Sequence, residues 1–175
     1  MNKNDMNKLV IVINGKGGVG KDTLCELATK HFAVKNISSI TPIKEIAAQC
    51  GWSGEKTDKA RKFLAELKML CVEYNDYPTL WAKGEYERFL LSNEQIMFVH
   101  IREGSEIAKF VSATGGVAKT LLIRGGDRMN RGAYGNAADD NVEDYDYDYY
   151  FNNDKTLEEA EENFVLLLRS ILKEN

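Results

Sequence analysis

Gly15-Lys16-Gly17-Gly18-Val19-Gly20-Lys21-Asp22-Thr23, directly behind the apolar run Leu9-Val10-Ile11-Val12-Ile13, decides how this chain is read. Five consecutive apolar residues predict a buried strand, and closely spaced glycines let backbone N–H groups converge on one point. Thr23-Leu24-Cys25-Glu26-Leu27-Ala28 then opens a helix whose positive end faces that point, an arrangement suited to an anion. Gly15 to Lys21 has the spacing G-x-x-x-x-G-K of a phosphate-binding loop, with Lys21 adding a point charge for the outer phosphates. Asp22 stands where Ser or Thr usually meets magnesium.

Outward from the loop, β and α patterns alternate. Strand one is expected at Lys8–Asn14, helix one at Lys21–Lys35 and strand two at Ile37–Thr41. Thr41-Pro42 reads as an N-cap followed by proline at the first helical position, and that helix ends near Gly51. Helical periodicity over Thr57–Tyr74 and Pro78–Leu91 predicts a helical insertion at about 55–92. A third strand at Ile96–Ile101, a helix at Ser105–Ala113 and a fourth strand at Val117–Ile123 follow. The polar, glycine-containing segment Arg124–Val142 precedes a strand ending in Tyr149-Tyr150-Phe151, and Thr156–Lys173 is amphipathic. The alternation predicts one domain over residues 1–175, a three-layer α/β fold with five parallel strands and helices on both faces.

Bulk properties narrow the partners. A net charge of −4 and a pI near 5.3 argue against a broad basic surface for duplex nucleic acid and favour a small substrate. The three cysteines are widely spaced, as in reduced cytosolic cores, and no apolar run is long enough to span a bilayer. A cytoplasmic monomer or homodimer is expected.

The signature-lysine loop of ParA/MinD-type ATPases resembles Lys16 to Lys21, but Ile37-Ser38-Ser39-Ile40-Thr41 lacks the acid that follows the second strand in those proteins. The chain more closely resembles the phage-type deoxynucleoside monophosphate kinases and the related animal-type phosphomevalonate kinases. Carrying that resemblance are Gly20-Lys21-Asp22, Ser39-Ile40-Thr41-Pro42-Ile43-Lys44-Glu45-Ile46-Ala47 with Gly51-Trp52, Arg102 followed four residues on by Glu106, and Asn152-Asn153-Asp154 before the last helix. His100 departs from it, standing where the family has aspartate.

The resemblance implies an ATP- and Mg²⁺-dependent transfer of a phosphoryl group to a nucleoside monophosphate. Gly15, Lys16, Gly17, Gly18, Val19, Gly20, Lys21, Asp22 and Thr23 would then hold ATP, with Asp22 near the metal and Asn153 at the adenine. Arg102 ends a strand at the carboxyl edge, where open α/β sheets bind ligands, and is expected on the acceptor phosphate together with Lys44 and Arg61. Glu106 is expected to orient Arg102. Arg124, Arg128 and Arg131 would act from a mobile lid at about 124–142. His100 reads as a strand-end residue rather than a metal ligand, since His31 offers no matching spacing. Trp52 and Trp81 are expected in the core, and Asp139–Asp148 as a solvated acidic run. A kinase for dephospho-coenzyme A or phosphomevalonate, and a regulatory nucleotide binder that has lost the chemistry, are the alternatives.

Overall fold

The computed structural model describes residues 7–125 and 141–174. Its centre is a parallel sheet of five strands, β1 (Leu9–Asn14), β2 (Val34–Ser38), β3 (Ile96–His100), β4 (Lys119–Gly125) and β5 (Tyr149–Asn153), ordered β2-β3-β1-β4-β5. The first strand is central because it is apolar from Leu9 to Ile13 and covered on both faces. Leu9, Ile11 and Ile13 pack with Ile96 and Phe98 against helices α1 (Lys21–Ala28) and α6 (Leu157–Glu174). Val10 and Val12 point the other way, joining Met97 and Val99 in a second core beneath α4 (Tyr77–Leu90) and α5 (Gly104–Ala113). Each side chain buried in this way contributes about 1.5–3 kcal/mol. The predicted three-layer α/β architecture is therefore present, with helices on both faces.

Two further helices, α2 (Thr41–Gln49) and α3 (Asp58–Asn75), pack on one another, and α3 and α4 lie between β2 and β3 as the insertion pattern predicts. Thr57 caps α3 by accepting the Ala60 N–H at 3.2 Å, which fixes where the helix starts.

The boundaries differ most near residue 30. The first helix stops at Ala28 instead of Lys35, because Thr29 turns its hydroxyl onto the Glu26 carbonyl at 2.6 Å and the chain leaves the helix by Phe32. Residues from Val34 then pair with β3, Val34 opposite Ile96 and Ser38 opposite His100, so the second strand begins three residues before Ile37. The acidic run is also not uniformly solvated, since Val142 and Tyr147 are buried and Asp148 accepts the Thr120 N–H and hydroxyl at 2.8 and 2.9 Å. Trp81 packs on the second core as expected, whereas Trp52 donates its ring N–H to the Glu55 carbonyl outside both cores.

Candidate active site at the carboxyl edge of the sheet

Parallel strands deliver their carboxyl ends to one edge, and β1, β3, β4 and β5 bring the loop, His100, Arg102, Arg124 and Asn153 there. The turn out of β1 is built on Asn14, which is 1 % exposed. Its Oδ1 accepts the Gly15 N–H at 2.8 Å, while its Nδ2 donates to the Arg102 carbonyl at 2.9 Å and to the Tyr147 hydroxyl at 2.8 Å. The Tyr147 hydroxyl in turn donates to the Val142 carbonyl at 2.9 Å. One buried amide thus ties the loop, the chain after β3 and the segment before β5 together. The sequence offered one sign of it, a polar residue closing an apolar strand.

Two loop glycines are dictated by space. At Gly15, with φ +152°, a Cβ would lie 2.5 Å from the Ile123 carbonyl oxygen. At Gly20, with φ +86°, it would lie 2.5 Å from the Asn153 amide nitrogen. That amide donates to the Val19 carbonyl at 2.9 Å, and Asn153 is 7 % exposed. Asn153, expected at the adenine, thus braces the loop. The Lys21 ammonium arches over the same loop, donating to the Gly15 and Lys16 carbonyls at 2.7 and 3.2 Å. Asp22 and Thr23 are exposed at the start of α1, whose first-turn N–H groups have no partner within the helix.

His100 ends β3 beside this loop. Its Nε2 lies 2.8 Å from Asn36 Oδ1 and its Nδ1 3.8 Å from Asp22 Oδ1, with Cys25 Sγ 3.9 Å from Nε2. Burial pushes the imidazole below its ordinary value against the pull of Asp22, and the cations of Lys21 and Arg102 push in the same direction. Those four side chains therefore share one electrostatic neighbourhood. Cys25 is buried and its thiol is pushed up to about 12, which removes it as a nucleophile.

Glu106, expected to orient Arg102, meets a different cation. Lys68 on α3 reaches its Oε1 at 2.8 Å and Glu103 Oε1 at 3.0 Å, and Glu106 Oε2 is buried with no hydrogen-bond partner among the described residues. Burial pushes the Glu106 carboxyl up despite Lys68. Burial alone would lower the Lys68 ammonium, but its bonds to Glu106 and Glu103 outweigh that and hold it above its ordinary value. Lys68 escaped the sequence reading because one lysine in a helix gives no sign of a partner on another element. Arg61 is exposed on α3 seven residues earlier, on the same face of the helix. Lys44 on α2 is exposed as well.

Arg124, expected in a lid, belongs to β4. Its guanidinium forks onto Glu143 through Nε and Nη2 at 2.7 to 3.2 Å and lies 4.6 Å above the Tyr150 ring. The carboxylate of Glu143 holds the Arg124 pKa up. Beside it a cavity of about 180 Å³ opens between Arg124, Glu143 and Val142 on one side and Lys16 and Val19 on the other. Arg128 and Arg131, and most of the predicted lid, lie outside the described residues.

Sheet order, strand–loop–helix turn and crossover helices define the class as the three-layer phosphate-loop nucleoside triphosphatase fold. Solved structures share it. The Deinococcus radiodurans tunicamycin resistance protein matches at a TM-score of 0.58 with 11% identity, over 92% of this chain and 95% of that one. A gluconokinase from Sinorhizobium meliloti 1021 matches at 0.52 with 14% identity, over 97% and 95%. A sugar kinase from Janibacter sp. HTCC2649 matches at 0.50 with 14% identity, over 93% and 95%. At these identities the likeness is one of fold. No family model and no curated protein matches the chain. Among the described residues no helix is long and apolar enough to cross a membrane.

Proposed function

We propose that this protein is an ATP-dependent kinase for a small phosphorylated acceptor, with a nucleoside monophosphate, and most specifically a deoxynucleoside monophosphate, as that acceptor. One observation carries the reading: an anion-binding loop braced by Asn14 and Asn153 sits at the same sheet edge as Arg102. The donor residues fit a nucleotide triphosphate. Glycines 15 and 20 have no room for side chains, so the loop backbone itself faces the ligand, and Lys21 and the first turn of α1 supply positive charge. Asp22 and Thr23 would hold Mg²⁺ and an inner phosphate, since hard cations take carboxylate and phosphate oxygen. The bound metal–nucleotide supplies the transferable phosphoryl group.

Phosphoryl transfer asks the protein chiefly for alignment and positive charge. Lys21 follows the outer phosphates, while Arg102, whose backbone is pinned to Asn14, faces the acceptor phosphate. Arg61 shares the α3 face that Lys68 presents to Glu103 and Glu106, about 10 Å away along the helix, and completes the acceptor side with Lys44. The cavity beside Arg124 is below the roughly 300 Å³ at which drug-sized sites begin, and a planar base against the guanidinium suits it. Arg128 and Arg131 would add charge from the lid. A phosphate acceptor is already nucleophilic, so the reaction needs no general base.

ADP release with Mg²⁺-ATP, measured against ribo- and deoxyribonucleoside monophosphates, dephospho-coenzyme A and phosphomevalonate, tests this reading. Turnover with a nucleoside monophosphate, cut by about 10²–10³ in Lys21→Ala, is the expected result. ATP binding without turnover on any acceptor would establish the regulatory alternative instead.

A further inference from the structure

We propose that His100 and Asp22 form the protein half of a divalent-cation site beside the phosphate loop, and that the imidazole turns its preference from Mg²⁺ toward transition metals such as Co²⁺. The proposal rests on nucleotide binding at the loop and goes against the sequence expectation for His100. Nε2 lies 2.8 Å from Asn36 Oδ1, an atom that only accepts, so in the neutral ring Nε2 donates that bond and Nδ1 presents a lone pair. Asp22 Oδ1 lies 3.8 Å from Nδ1, too far for a hydrogen bond. Two electron-rich atoms so placed can share a cation between them. Their separation lies within the span of about 4 Å that one ion with bonds of about 2.1 Å can bridge.

The surroundings suit such a role. The His100 side chain is 17 % exposed and its ring is oriented by Asn36, the kind of outer partner that metal-bound histidines use, whereas Asp22 is 96 % exposed and can swing toward an ion. Cys25 lies on the Nε2 side of the ring and does not join. Among the described residues no group of three or more His, Cys, Asp or Glu side chains could hold a metal. Two protein ligands therefore leave the remaining positions to phosphate oxygens and water, as in metal–nucleotide sites. Carboxylate and water favour Mg²⁺, while an imidazole nitrogen favours later first-row metals.

The test loads the intact protein with Mn²⁺ and the β,γ-methylene analogue of ATP and records electron spin-echo modulation, with and without ¹⁵N-labelled histidine. A nitrogen coupling that changes with the label and vanishes in His100→Asp is expected. In competition for the analogue complex, the Co²⁺ over Mg²⁺ preference should fall about tenfold in His100→Asp and in Asn36→Ala, the lower end of outer-partner effects on metal affinity. If the analogue and Mn²⁺ bind without histidine coupling in the unaltered protein, the cation site is overturned while the kinase reading stands. If the analogue does not bind with any metal, both readings fall. The unaltered protein and Asn36→Ala decide the matter should His100→Asp not fold.

Discussion

The loop after β1 and the helix α3 stand at the same sheet edge but are held by different means. The loop's braces Asn14 and Asn153 are buried, and the Ile123 carbonyl and Val19 at Gly15, with Asn153 at Gly20, leave no room for even a methyl group. Helix α3 runs for 18 residues and buries only Ala60 fully, while Met69, Leu70 and Tyr74 stand 54 to 88 % exposed. The Lys68 bridge to Glu103 and Glu106 ties its middle to the chain after β3. The loop is thus shaped by packed backbone, whereas α3 is positioned largely by charge.

The largest effect should follow from placing a methyl group in the packed side. Gly15→Ala combines positive-φ strain with a Cβ at 2.5 Å from a carbonyl oxygen, and strain and overpacking each cost about 1–3 kcal/mol. Thermal unfolding should show Tm lower by roughly 10 °C, with nucleotide binding lost. An unchanged Tm would mean that the loop is not held as tightly as its contacts imply.

Lys68→Met tests the electrostatic side. Leaving Glu106 without its cation should cost about 2 kcal/mol at neutral pH, less than a fully buried pair because Lys68 keeps some solvent. Burial already raises the Glu106 carboxyl in the folded state above its ordinary value of 4.5, so folding favours the protonated form. The penalty is therefore full above the folded pKa and shrinks as pH falls toward 4.5. Denaturant titrations at several pH values check this sign, and a pH-independent loss would show that Lys68 acts through packing alone.

Asn153→Ala sharpens the comparison, since it deletes a brace without adding bulk. The Val19 carbonyl loses its donor, at a cost of about 1–3 kcal/mol, and ATP affinity measured by calorimetry should drop with it. Equal affinity in the variant would make the brace structural only. The smallest effect is expected for Arg124→Ala, whose bridge to Glu143 is 44 % exposed on each side and contributes under about 1 kcal/mol to stability. A several-fold rise in the KM for ATP with an unchanged Tm would place its role at the nucleotide.

What the sequence disclosed follows the same division. The strand, the loop and the start of α1 are local, contained within residues 9 to 28, and they could be read from one stretch. The braces link residues 134 positions apart for Asn153 and Val19, and 88 apart for Asn14 and Arg102, so no spacing rule reveals them. The second strand was misplaced because Val34-Lys35-Asn36 mixes polar and apolar residues at a sheet edge, where pairing with β3 rather than a periodic pattern sets the boundary. Glu106 was expected beside Arg102, whereas helix packing brings Lys68 onto its carboxylate.

The Asn153 brace also gives the site an order of assembly. A chain synthesised from its amino terminus displays the complete Gly15–Thr23 motif early, yet the residue that locks Val19 emerges with the fifth strand, 134 residues after it. A nascent chain therefore carries the motif long before it carries the finished cradle.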